Sequence, residues 1–85
     1  MIWIAANSLQ GTNIHKQVRM SFEAEPTEKI FLNAFCQKYD VAREAIGYVQ
    51  IFDAHFDAYF DLNPEETLPH GSRINIHMMT TVIIN

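Results

Sequence analysis

Four residue types in this chain could do chemistry, and their spacing is the first test of each. The histidines are His15, His55, His70 and His77, and a zinc site needs several such ligands brought close together. None of the four has a second histidine or a cysteine at short range, and the single cysteine, Cys36, has no histidine beside it. The expectation is therefore no metal and no cofactor. Asp53, Asp57 and Asp61 recur every four residues. A helix-loop-helix calcium loop places its acids at alternate positions around a central glycine, and DAHFDAYFD has neither feature. Solvated acids on a hairpin are the expected reading. Cys36 falls on the margin of an apolar helical stripe, with no neighbouring base to activate it as a nucleophile. No glycine-rich phosphate loop and no paired acid and base appear, so an enzyme is not expected. What the chain offers is contact chemistry, in the aromatic and amide side chains of Trp3, Tyr48, Gln50, Phe52, Tyr59, Asn75 and His77.

The elements that position these residues follow from hydrophobic period. Ile2, Ile4 and Ala6 alternate with Met1, Trp3 and Ala5, giving a strand from Met1 to about Asn7. A turn follows over Ser8–Asn13. In the second strand Ile14, Val18, Met20 and Phe22 share one face, and His15, Gln17, Arg19, Ser21 and Glu23 share the other. Lys16 interrupts the apolar side. One buried and one open face is the pattern of an antiparallel pair. Thr27 is the expected N-cap of a helix running from Glu28 to Lys38 or Tyr39. Phe31, Leu32, Phe35 and Tyr39 form its apolar stripe, and Ile30 fits it poorly. A connector over Asp40–Gly47, with a helical turn near Val41–Ala45, leads to a hairpin of Tyr48–Phe52 and Tyr59–Leu62. Its core half is expected to be Val49, Ile51, Phe60 and Leu62. Asn63–Glu66 is a turn, Leu68 returns to the core, and Pro69–Ser72 is a second turn. In the last strand, Arg73–Met79, Ile74, Ile76 and Met78 point inward while Asn75 and His77 point outward.

Eighty-five residues, 48% of them hydrophobic and 19% charged, suit one α+β domain with a modest core. The formal charge of −4 argues against nucleic acid or an anionic membrane as the main partner. No stretch approaches the length of a membrane span. A lone cysteine excludes an intrachain disulfide and suits a cytoplasmic setting. Residues 1–79 are expected to form the domain, with 80–85 a strand extension or the start of a linker into a longer chain. The ending Ile83-Ile84-Asn85 differs from the Gly-Gly tail of conjugated modifiers.

The order strand, strand, helix, strand, strand, strand resembles the β-grasp of ubiquitin. EPTEKI looks like its helix entry, and LNPEETLPHGSRINIHM like its loop, Thr-Leu anchor and last strand. The resemblance implies a mixed sheet with the first and last strands central, the second strand beside the first, and the third beside the last. Placing Asp53, Asp57, Asp61, Glu65 and Glu66 without an intervening Lys or Arg, and Lys16 and Arg19 on the second strand, is partly similar to Phox-and-Bem-type domains. These polymerise head to tail through an acidic hairpin segment and a basic face. Ala54, His55 and Phe56 dilute the acidic motif here.

A narrower likeness rests on VQIFDAHFDAYFDL, the RMSFEAEP exit of the second strand and the short link to RINIHM. These segments are similar to the N-terminal ubiquitin-like domain of the kinetoplastid flagellar pocket collar scaffold. That scaffold is a cytoskeletal protein in which the domain precedes calcium-binding hands and a coiled coil. The likeness implies a partner-binding patch on the open sheet face at Tyr48, Gln50, Phe52, Tyr59, Asn75 and His77, with a cytoskeletal and flagellar setting. Oligomerisation would then come through other parts of the parent chain. Tyr48 and Gln50 stand where that patch is basic, and Asn75 and His77 where it is aromatic, so the ligand need not be shared. The alternative expectation is self-assembly between Asp53, Asp57 and Asp61 and a basic face of Lys16 and Arg19.

Overall fold

The computed structural model describes residues 1–79; the expected extension over 80–85 lies outside the described residues. The chain forms β1 (Ile2–Gln10), β2 (Asn13–Phe22), α1 (Glu28–Tyr39), a 3-10 turn (Arg43–Ala45), β3 (Ile46–Asp53), β4 (Ala58–Asp61) and β5 (Arg73–Met78). The strands build one mixed sheet in the order β2-β1-β5-β3-β4, with α1 packed on one side. The β1–β5 pair is parallel, and the remaining pairs are antiparallel. This is the α+β, ubiquitin-like β-grasp arrangement, with β1 and β5 at the centre.

Thr27 starts the helix by accepting the Ile30 amide at 3.2 Å, satisfying one of the donors that a helix start leaves open. Asp40 ends it in the left-handed conformation, φ 55°. The stripe Phe31, Leu32 and Phe35 is fully buried against Ile4, Ala6, Met20, Val49, Ile74 and Ile76, and Leu68 closes one end. A Phe31→Ala or Leu32→Ala change at such a site costs about 2–5 kcal/mol.

Four local expectations change. β1 continues to Gln10, so the turn shrinks to Gly11 and Thr12, with Gly11 at φ 61°, and Ser8 is buried in the strand rather than lying in a loop. The register shifts after Ser8, which faces Lys16 while Leu9 faces Ile14. The residue skipped is His15, and the shift takes Ile14 off the core face and leaves it exposed. Phe60 lies on the helix side, opposite Ile51, yet stays 47% exposed and is not core. β4 is the outermost strand, and the helix does not reach that far. Phe60 meets Phe56 edge-on at the hairpin tip instead, with ring centres 5.8 Å apart. β3 also begins two residues before Tyr48. Its pairing with β5 is irregular between Ile46 and Tyr48, and Gly47 permits this, because a Cβ there would stand 3.0 Å from the His77 carbonyl oxygen.

Glu28, in the first turn of α1, is only 6% exposed, and its Oε1 has no hydrogen-bond partner among the described residues. Burial pushes its pKa up; Arg43 opposes that and Glu66 reinforces it. A carboxyl whose folded pKa is raised favours the fold while protonated, and that contribution is lost as pH rises through the folded value. Glu28→Gln is therefore expected to raise Tm at pH 7, by about 4–8 °C for each kcal/mol recovered. The gain should shrink toward zero below pH 4.5, the ordinary value of the group, as thermal melts across pH will show.

Candidate protein-binding face

Alternation along each strand sends one set of side chains away from the helix, and the pairing registers align them in rows. In one row Arg19, Ala5 and Arg73 stand side by side, since Ala5 faces Arg19 on β2 and Arg73 on β5. Phe52 and Tyr59 continue it on β3 and β4. In the next row Gln17, Asn7, Asn75, Gln50 and Asp61 are successive cross-strand neighbours. In a third, Leu9, His77 and Tyr48 are aligned. Trp3 lies opposite Ser21, beside the first row. All seven residues expected on the open face are on it.

The rows differ in chemistry. The first is aromatic and basic. Arg19 stands over the Trp3 ring, 5.7 Å from its centre, and Arg73 over the Phe52 ring at 4.6 Å, both within cation–π range. Phe52 and Tyr59 meet edge-on at 5.2 Å. The middle row is a chain of amides. Gln17 Nε2 donates to Asn7 Oδ1 at 3.1 Å, and Asn7 Nδ2 donates to Asn75 Oδ1 at 3.2 Å. Gln50 Nε2 donates to Asp61 Oδ1 at 3.3 Å, and Gln50 Oε1 lies 2.9 Å from His77 Nε2. The third row holds a stacked pair, the Tyr48 and His77 rings lying 4.1 Å apart and 7° from parallel. The expected surface of Trp3, His77, Phe52 and Tyr59 edged by Tyr48 and Gln50 is thus two ring clusters with Gln50 and Asn75 between them. Trp3 is 45% and Tyr48 55% exposed, while Phe52, Tyr59, Asn75 and His77 are half-buried by one another.

The contact with Asp61 orients the Gln50 amide, because a carboxylate takes a hydrogen bond only from the NH2 group. The Gln50 oxygen then faces His77, whose Nε2 must carry a proton to donate. In the neutral ring Nδ1 is left as an acceptor. Burial lowers the His77 pKa below its ordinary 6.5, with Asp61 opposing the shift.

Strand parity also separates two residues expected to act together. Lys16, opposite Ser8, lies on the helix side, its amine 4.7 Å from the centre of the Tyr39 ring. Arg19 is on the open face, so the two do not form one basic face. The cation that shares the open face with Arg19 is Arg73, which is not part of the expected basic face. Its signal was plain: it lies two positions before Asn75 on the same strand, hence on the same face. The hairpin acids also have separate places. Asp53 accepts the His55 and Phe56 amides at 2.8 and 3.4 Å, Asp57 holds a left-handed turn position at φ 52°, and only Asp61 bonds within the open face. Of the histidines other than His77, His70 takes the Trp3 amide on Nδ1 at 3.0 Å, fixing the loop before β5 against β1. Cys36 is half-buried, and burial raises its pKa, which disfavours the thiolate.

No family model matches the chain, and no curated protein matches it. Among solved structures, a chain in the crystal structure of the BILBO2/FPC4 complex is similar over all of this chain and 87% of its own, at 18% identity and a TM-score of 0.70. That likeness establishes the fold. No helix among the described residues is long and apolar enough to cross a membrane.

The depressed His77 pKa has a readable consequence. Neutral imidazole is the form that the fold favours, so its contribution is present above pH 6.5 and is lost as pH falls through the lower folded value. The imidazole proton shifts of His77 are expected to titrate with a midpoint below 6.5. Gln50→Ala should move that midpoint and release the ring from its neighbour, as a two-dimensional NMR titration of both proteins will report.

Proposed function

We propose that the chain is a non-catalytic protein-interaction module that docks a peptide or protein on the open sheet face. The carrying observation is the composition of that face: Trp3, Phe52, Tyr59 and Tyr48 displayed with Arg19 and Arg73 on a surface the helix does not cover. Trp, Tyr and Arg are the side chains that most often dominate binding energy, and an apolar patch with polar handles is the form such sites take. In this reading Trp3, Phe52 and Tyr59 anchor apolar groups of the partner. Arg19 and Arg73 take carboxylates or carbonyls, and Gln50, Asn75 and His77 fix its register. The similar chain described above comes from a complex of BILBO2 with FPC4, which favours a protein as the class of partner. We place the module in the cytoplasm, within a cytoskeletal scaffold protein, on the resemblance drawn from VQIFDAHFDAYFDL and RMSFEAEP.

Self-assembly by charge pairing is the weaker reading, because Lys16 and Arg19 lie on opposite faces. Light scattering across salt concentration separates the two, since charge-paired chains dissociate as screening increases and ring-anchored partners stay bound.

Trp3→Ala and Tyr59→Ala are expected to keep the fold by circular dichroism and to weaken capture of the partner by about 2 kcal/mol or more, roughly thirtyfold. Phe56→Ala, at the hairpin tip, should bind as the parent chain does. Unfolding of both face variants, or equal loss in all three, would overturn the assignment.

A further inference from the structure

β4 pairs with β3 only from Gln50 to Asp53, so the first part of β3, Ile46–Tyr48, has no strand on its outer side among the described residues. The chain instead turns back through Leu62, whose amide bonds the Val49 carbonyl at 3.1 Å, and Pro64, whose carbonyl accepts the Lys29 amide at 3.2 Å. Between this loop, the start of α1 and the 3-10 turn lies a cavity of about 290 Å³ lined by Glu28, Arg43, Ile46, Gly47, Tyr48 and Asp61 among others. That volume is at the small end for ligand sites and suits one amino-acid side chain. The lining includes two carboxylates, one aromatic ring and one guanidinium. Glu28 is more than nine-tenths buried, and its Oε1 has no hydrogen-bond partner among the described residues. A buried carboxylate oxygen without a donor is costly, and a cation supplied from outside would remove that cost.

We infer that this cavity receives a cationic side chain, lysine or arginine, from an extended protein segment that lies along the free edge of Ile46–Tyr48. The ammonium or guanidinium would bond Glu28 Oε1 and Asp61, its alkyl stem would pass the Tyr48 ring and Ile46, and the segment's backbone would meet the edge of β3 in the manner of strand addition. Glu28 and Asp61 outweigh Arg43 by one negative charge, which sets the sign of the guest. This site borders the open face, sharing Tyr48 and Asp61 with it, but it does not include Trp3, Phe52 or Tyr59, and it stands whether or not those rings dock a partner.

The test uses the 15N-labelled chain and three probe peptides, acetyl-Thr-X-Thr-amide with X as lysine, norleucine or glutamate. The lysine peptide is expected to shift the Gly47 and Tyr48 amide signals with a dissociation constant on the order of 1 mM. The norleucine peptide should bind at least about tenfold more weakly. Glu28→Gln should lose the lysine preference, and its spectrum reports whether it is folded. Asp61→Asn, on the exposed edge strand, provides the same test should Glu28→Gln fail to fold. Equal binding of lysine and norleucine peptides, preference for glutamate, or no shift at Gly47 and Tyr48 with the lysine peptide at about 10 mM overturns the inference. So does undiminished lysine preference in the folded variant. The Gly47 amide and the Glu28→Gln variant lie outside the open face, so this site is judged apart from the anchors Trp3, Phe52 and Tyr59.

Discussion

A single helix can cover only one side of a sheet, and the organisation of this chain depends on that limit. Twelve residues of α1 make a rod about 18 Å long and about 10 Å wide. Five strands span about 19 Å from first to last. The helix therefore buries the inward residues of the central strands, Ile4, Ala6, Ile74, Ile76 and Val49, and its cover thins toward both edges. Phe60 on β4 stays exposed for that reason. The opposite face has no cover from any described element. Its rings are shielded only by one another and by two arginines.

That mutual shielding gives the face its character. Arg19 and Arg73 flank the small Ala5 two strands apart, and each guanidinium is held over a ring. An arginine placed in this way presents a flat cation with donor groups still free. The amide row then divides the face. From Asp61 through Gln50 to His77, each hydrogen bond determines the direction of the next, so the tautomer of His77 is decided two residues away. The cavity beside Glu28 has a different origin, the shortness of β4, and its chemistry is acidic where the face is basic. One domain of modest size thus carries two surfaces of opposite electrostatic preference.

Much of this was legible in the residues. Period-two alternation in the strands and the Phe31, Leu32, Phe35 stripe were enough for element order, strand parity and the sides taken by Trp3, Tyr48, Phe52, Tyr59, Asn75 and His77. Thr27 marked the helix start. What escaped was what alternation alone does not encode. The skipped residue at His15 removes Ile14 from the core, and no pattern in NIHKQVRM marks it. Phe60 has the parity of a core residue, and its exposure depends on how far the helix reaches. The opposite faces of Lys16 and Arg19, by contrast, follow from alternation itself, and the expected basic face joined them against that parity. The burial of Glu28 was hidden because an acid in a first helical turn is ordinarily exposed and favourable there.

The measurement that bears most directly on the open face as the docking surface is amide and indole shift mapping of the labelled chain when a captured partner is added. The Trp3 indole N–H and the amides of Gln50, Phe52, Tyr59, Asn75 and His77 are expected to move together, while Ile30 and Lys29 on the exposed side of the helix stay in place. Shifts concentrated on the helix, with the Trp3 indole unmoved, would contradict that assignment.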